Sequence, residues 1–391
     1  MVEESCFDEL DRSFFNASSW MADFFSGTYG ALGYRLVTPL DPNKFDNATS
    51  KVKEIGIRVL IALGALVSFC FAGTYLLLTA VVLSIGSKIF RCIGFAFQKN
   101  GFTHIRGSAP EISLQNRQTS LLTWNLRGYH LHYPGVIHWH SRVDAIVESI
   151  QRENPDTIVL QDIYDTAFVE ALIEKLGAQY AHFYTHLGAN TLGNSGGCMV
   201  ITKCGIHQFT HADFANNDWK NTRGFEFLEI KPYPEAPAPC FRIIGTQLSP
   251  GKESQEKRIE QVSQIITALS KESSPLPTLF AADANDDRNS AVGTLLSKYL
   301  YHSYRDKEPT YSPQLAKQWA PIFEGQEESR DFISLVKRTT PEGKTLPVIE
   351  RDIQLIDCHL LRAFEQNPNT MEVDTKTARS DSHGVYTLVS Y

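Results

Sequence analysis

Residues 277–287, PTLFAADANDD, read as an apolar strand through Leu279, Phe280 and Ala281 that stops abruptly at Asp283-Ala284-Asn285. The residues that follow, 286–290, are polar, as expected of a loop that leaves a sheet and opens a helix. A carboxylate and a carboxamide two positions apart at the end of a buried strand point from one edge of the sheet toward a common place. Such a pair is suited to activating a water and holding a phosphate oxygen. It is equally suited to capping the next helix. Other strand ends decide between the two.

Working outward, apolar runs that suit strands occupy residues 120–124, 157–160, 198–202, 225–230, 241–245, 279–281, 353–356 and 385–389. Amphipathic helices are interleaved with them. Residues 252–269 place Ile259, Val262, Ile265, Ile266 and Leu269 on one face, and residues 141–151 do the same with Val143, Ile146, Val147 and Ile150. There is no internal repeat. Many strands with interspersed helices predict a layered α/β domain over residues 119–391.

Upstream the text differs. Residues 1–54 form a polar, acidic head with aromatic clusters and no basic, apolar leader of the signal-peptide kind. Residues 55–91 hold the largest compositional event: from 59 to 85 there is no charged residue. As a helix this run is roughly 40 Å long, against about 30 Å of bilayer hydrocarbon. A tilted single span fits, and so does a shallow hairpin bent near Gly73. Lys51, Lys53 and Arg58 flank one end and Lys88, Arg91 and Lys99 the other, so the positive-inside rule gives no orientation. Residues 92–118 read as a polar linker.

Composition bounds the function. The net charge of -7 makes nucleic acid the less favoured partner, because sequence-independent affinity for a polyanion comes from Lys and Arg. Seven scattered cysteines without a CxxC pair form neither a zinc site nor a disulfide framework. Cys92, just past the apolar run, reads as a packed thiol in preference to an acylation site. His130, His132, His138 and His140 lack zinc spacing and read as a solvated or substrate-facing loop.

In order, the strand ends carry Trp124-Asn125, Leu160-Gln161-Asp162, Thr246-Gln247-Leu248, Asp283-Ala284-Asn285, Leu355-Ile356-Asp357 and Ser380-Asp381-Ser382-His383. Here the sequence resembles the endonuclease/exonuclease/phosphatase superfamily, the metal-dependent phosphoesterase fold related to DNase I. That family carries an Asn, an LQE, a TH, a GDxN, an xID and a closing SDH in this order. The resemblance implies a four-layer α/β/β/α sandwich, here preceded by the N-terminal membrane segment read from the apolar run. Within the family, Asn194-Ser195-Gly196-Gly197, Arg223-Gly224-Phe225 and the helix after the TxL segment look like the neutral sphingomyelinase branch.

The resemblance also implies roles. Asn125 and Asp162 would be hard oxygen ligands for Mg²⁺, with Mn²⁺ as a substitute. Asp283 would orient or deprotonate the attacking water and Asn285 would bind a phosphoryl oxygen. His383, steered by Asp357 or Asp381, would complete the acid/base and charge-stabilising set, in which Gln247 can donate a hydrogen bond but not transfer a proton. The chain departs from the pattern in that the LQE glutamate is Asp162, the GD glycine is Ala282, the TH histidine is Gln247, and a serine interrupts the closing motif. The expected function is a membrane-anchored, Mg²⁺-dependent phosphodiesterase acting on a phospholipid such as sphingomyelin. The alternatives are a nuclease or a nucleotide or inositol phosphatase of the same fold, and a catalytically impaired binding protein.

Overall fold

The computed structural model describes residues 12–18, 20–21, 48–98, 100–128, 139–188, 195–217, 222–302, 331–341, 343–349, 354–361 and 384–390. Helix α1 (Ala48–Phe97) leads into β1 (Thr103–Arg106) and β2 (Gln118–Gly128). Then follow α2 (Val143–Glu153), β3 (Thr157–Ile163), α3 (Thr166–Leu176), β4 (His182–Thr185) and β5 (Met199–Thr202). The second half holds β6 (Ile206–Asp213), β7 (Gly224–Ile230), β8 (Phe241–Gln247), α4 (Gln255–Leu269), β9 (Thr278–Asp283) and α5 (Ala291–Tyr299). It closes with β10 (Leu300–His302), β11 (Asp331–Val336), β12 (Gln354–Leu361) and β13 (Gly384–Ser390).

Two sheets result, in the orders β1-β4-β5-β3-β2-β13-β12 and β10-β11-β9-β8-β7-β6. Strand alternation explains how they stack. In β2, Leu122, Trp124 and Leu126 pack with α2 and α3, while Leu121 faces the other way. In β9, Phe280 and Ala282 pack with α4 and α5, while Leu279 and Ala281 meet Leu121, Val159 and Ile333 between the sheets. Three apolar layers therefore separate four structural ones, the α/β/β/α sandwich the sequence predicts. Each fully buried Leu, Ile or Phe contributes roughly 1.5–3 kcal/mol.

Two pairings matter for function. Strands β2 and β3 run parallel, as do β8 and β9, whereas the other strand pairs are antiparallel. The parallel pairs deliver their C-terminal ends to the same rim.

Residues 92–118, read as a linker, hold the end of α1 and strand β1, which pairs with β4. The apolar run lies inside the 50-residue α1. The side chains of residues 65–81 lie outside the described residues. Among the described residues no helix is long and apolar enough to cross a membrane. The histidine loop, residues 130–138, also lies outside them.

Buried imidazoles at the sheet edges set how stability depends on pH. On β1 and β4, His104 Nε2 lies 3.0 Å from His182 Nδ1, and burial lowers each pKa to about 4. The unfolded chain then binds more protons below pH ~6.5, so this contribution is lost as pH falls toward 4. On β6, His211 sits between Asp213, 3.0 Å away, and Glu226, 3.2 Å away. Burial opposes its charge, but the hydrogen bonds to the two carboxylates prevail and raise its pKa to about 9. A Cβ on Gly224 would approach within 2.5 Å of this ring, which explains the glycine there. The His211 contribution is fully present below pH ~6.5 and is lost as pH rises through 9. Thermal melts from pH 4 to 10 should peak near neutrality and fall by several degrees on either side. His211→Gln should flatten the alkaline limb alone; an unchanged limb would discount this cluster.

Candidate active site

The layer between the sheets is apolar along most of its length and turns polar at one rim. By strand alternation the inward positions after Leu121, Ile243, Ala281 and Ile333 are occupied at the rim by Asn125, Gln247, Asp283 and Asp331. All four are buried. Alternation alone would turn Asp162 outward with Ile158 and Leu160. Its φ of 56° breaks the alternation, as do φ values of 48° at Arg127 and 49° at Asn285. Left-handed backbone at non-glycine residues is uncommon and clusters at functional sites.

Five of the predicted residues meet, Asn125, Asp162, Gln247, Asp283 and Asn285. Asn125 Nδ2 donates to Asp162 Oδ2 at 2.9 Å and to Asp283 Oδ2 at 2.7 Å. Gln247 Nε2 donates to Asp162 Oδ1 at 2.9 Å and to Asp283 Oδ2 at 3.0 Å. Two amides thus bridge two carboxylates contributed by different sheets. Asn285 donates its backbone N–H to Asp283 Oδ1 at 2.9 Å and its side-chain amide to the Leu248 carbonyl at 2.9 Å. Burial opposes ionisation of Asp162. Arg223, then the hydrogen bonds from Asn125 and Gln247, outweigh it and hold the carboxyl below its usual range.

Arg223 supplies the cation of the cluster. Its guanidinium nitrogens lie 3.5 Å from Asp162 Oδ1, and its plane sits over the Tyr164 ring at 5.6 Å. Two further arginines brace the rim. Arg142, fully buried, donates to the carbonyls of Leu126 and Arg127 at 2.9 and 3.0 Å, fixing the turn after Asn125. Arg258 ties the Ser249 and Gly251 carbonyls to Asp286, which links the loops after Gln247 and Asp283.

For Asp357 only the strand position is described, and its side chain lies outside the described residues. Asp357 lies at a register shift between Ile356 and His359 of β12, alongside Thr387, whose partner on β2 is Leu121. That is four residues short of Asn125, or roughly 13 Å along the strand. A carboxylate that does reach the rim is Asp331, the direct cross-strand partner of Asp283. Cross-strand partners point to the same face. Its only signal in the sequence is an acidic residue opening the apolar run Phe332-Ile333, and no period marks that as functional. Asp381 and His383 lie outside the described residues; β13 begins at Gly384, at the rim that carries Asn125.

Does this set suit a metal? Among the described residues no three His, Cys, Asp or Glu side chains are disposed to hold one. The chemistry of the donors nonetheless fits Mg²⁺, which takes one or two carboxylates and keeps several waters. Asp162, Asp283 and Asp331 gather three buried carboxyl groups, and like charges directly opposite in a sheet are unfavourable without a cation. Amide donors now stand where such a cation would be welcome.

The Endonuclease/Exonuclease/phosphatase family model matches residues 122–345. The chain belongs to this family. A search of curated proteins returned no match. Among solved structures, beta toxin from Staphylococcus aureus is similar at 18% identity and a TM-score of 0.55, over 69% of this chain and 99% of that one. SmcL is similar at 16% identity and 0.54, over 70% and 99%. TDP2 from D. rerio, in complex with a single-strand DNA product, gives 12% identity and 0.51, again over 70% and 99%. A second beta toxin structure contains bound magnesium ions. At these identities the likeness is one of fold, and the matched family domain begins within β2, beyond helix α1.

Proposed function

We propose that the chain is a membrane-anchored, Mg²⁺-dependent phosphodiesterase whose substrate is a phospholipid such as sphingomyelin. The observation that carries the reading is the convergence of Asn125, Asp162, Gln247 and Asp283 from both sheets within hydrogen-bonding distance. Family membership supports the reaction class, and the apolar run of residues 59–85 supports a lipid setting.

Asn125 and Asp162, with Asp283 beside them, would hold the metal through oxygen. When bound, the metal would neutralise charge growing on the phosphoryl group. The chain's own groups do the rest. Asp283, accepting from the Asn285 backbone, is placed to orient a water and take its proton. The Gln247 amide donates toward the phosphoryl position but transfers no proton. Arg223 offers a fixed positive charge that needs no reorganisation during reaction.

The assay is phosphorylcholine release from sphingomyelin liposomes by the full chain. Release with Mg²⁺ that stops with EDTA is the expected result. A folded protein that instead nicks plasmid DNA would replace the lipid reading with the nuclease one. Gln247 at the histidine position and Arg223 against Asp162 favour one further reading, a binding protein of weakened activity. Calorimetry separates them: Mg²⁺ should bind the native chain, and Asp162→Ala should weaken binding by at least ~10-fold. Equal affinity in both would count against the site.

A further inference from the structure

The two glycine-bearing motifs, Asn194-Ser195-Gly196-Gly197 before β5 and Arg223-Gly224-Phe225 at the start of β7, meet at one side chain. It is Tyr164, two residues past Asp162. Gly197 has a φ of 78°, and a Cβ on it would lie 2.5 Å from Cε1 of the Tyr164 ring and 3.0 Å from its hydroxyl oxygen. The ring thus fills the space that a side chain at 197 would need. The Arg223 guanidinium lies over the same ring, 5.6 Å from its centroid.

The backbone that carries the tyrosine is tied to two neighbouring segments. Ile163 donates its N–H to the Gly197 carbonyl at 2.7 Å, and Tyr164 donates to the Gly128 carbonyl, at the end of β2, at 2.9 Å. Arg223 is fixed at its base by Asn217. Asn217 Oδ1 accepts the Arg223 N–H at 2.9 Å, and Asn217 Nδ2 donates to the Arg223 carbonyl at 2.7 Å. At the tip, both terminal nitrogens lie 3.5 Å from Asp162 Oδ1, at the outer limit of a hydrogen bond. That ion pair supplies charge but little direction. The ring supplies direction, because a planar guanidinium stacks on an aromatic face and the attraction grows where water is excluded. Arg223 is buried there.

We infer that Tyr164 is a positioning residue, which acts through Arg223 by holding the guanidinium beside Asp162 and aimed at the phosphoryl position; this rests on the phosphodiesterase reading above. The glycine at 197 makes room for the ring, the ring sets the plane of the arginine, and the arginine meets the charge that grows in the reaction. A donor that must find its orientation at each turnover loses part of the advantage of a preorganised one.

A double-mutant cycle in the full chain tests this, with Mg²⁺-dependent turnover of sphingomyelin liposomes and of bis(p-nitrophenyl) phosphate as readouts. Circular dichroism and the melting temperature report folding of each variant. Tyr164→Phe keeps the aromatic face and should stay within ~3-fold of the native chain. Tyr164→Leu should lose about 10-fold in kcat with KM changed by less than ~2-fold, as expected for an interaction that matters in the transition state. Tyr164→Met takes its place if the leucine variant does not fold. Arg223→Lys keeps the charge and loses the planar fork, so adding Tyr164→Leu to it should cost less than ~2-fold more. A side chain needed only for packing would give additive losses instead. Undiminished turnover in Tyr164→Leu, an equal loss in Tyr164→Phe, or full additivity in the double variant would each overturn the inference and leave the phosphodiesterase reading in place. A folded native chain that turns over neither substrate would overturn that reading, and the inference with it.

Discussion

Asp283→Ala is expected to lower phosphoester hydrolysis by about 10²- to 10⁴-fold, the usual cost of removing a positioned acid/base group. Asp283 accepts from Asn125, Gln247 and the Asn285 backbone, so one carboxylate organises three loop ends. Its removal takes away the proton acceptor and leaves two buried amides short of a partner. Asp283→Asn controls for packing, since it keeps the volume and loses the charge. Both variants should fail equally in kcat. Substantial turnover in either, with native circular dichroism, would remove Asp283 from the chemistry.

Gln247→His is expected to raise activity, by an amount approaching the 10²–10³ that a single stabilising donor is worth. The glutamine occupies the position where the family pattern has a histidine, at the end of β8 and beside Asp283 in the parallel ladder. Its Nε2 serves both carboxylates, while its buried Oε1 has no hydrogen-bond partner in the cluster. An imidazole there would keep a donor toward the carboxylates and add a proton that can be shared with the reacting group. The gain should appear in kcat and carry a new pH dependence near the imidazole pKa of ~6.5. A loss of activity would mean that the amide bridge is itself the working arrangement.

The two substitutions separate the proposed readings. An enzyme with a working site loses activity at Asp283 and gains at Gln247. A weakened binding protein has little to lose at the first, and its gain at the second would measure how much of the machinery survives.

Asn125, Gln247 and Asp283 were legible because each ends an apolar run on the inward side of a period-two pattern, and Asn285 because it follows in the same motif. Physics fixes that pattern locally: side chains alternate, and a polar residue at the last inward position has reached the rim. The layering followed from many strands with interleaved helices, and the four-layer order from the family resemblance. The eight strands read from sequence match β2, β3, β5, β7, β8, β9, β12 and β13 within a few residues. Strand β6 was missed because both its faces are half exposed, IHQFTHAD carrying no apolar period.

Long-range register was beyond the sequence. Asp357 sits in a motif that looks right, yet the pairing of β12 with β13 and of β13 with β2 sets it several residues from the rim. Asp331 reaches the rim only because β11 lies antiparallel to β9 with Asp331 opposite Asp283. Arg142, Arg223 and Arg258 acquired their places the same way, each reaching carbonyls or carboxylates on another element. By itself the sequence determined eight of the strands, their inward faces and the polar residues that end them, because these depend on neighbours along the chain. Tertiary structure alone decided which carboxylates share the rim and which cation answers them. Those depend on strand order and register, which are set by burying two sheets against each other.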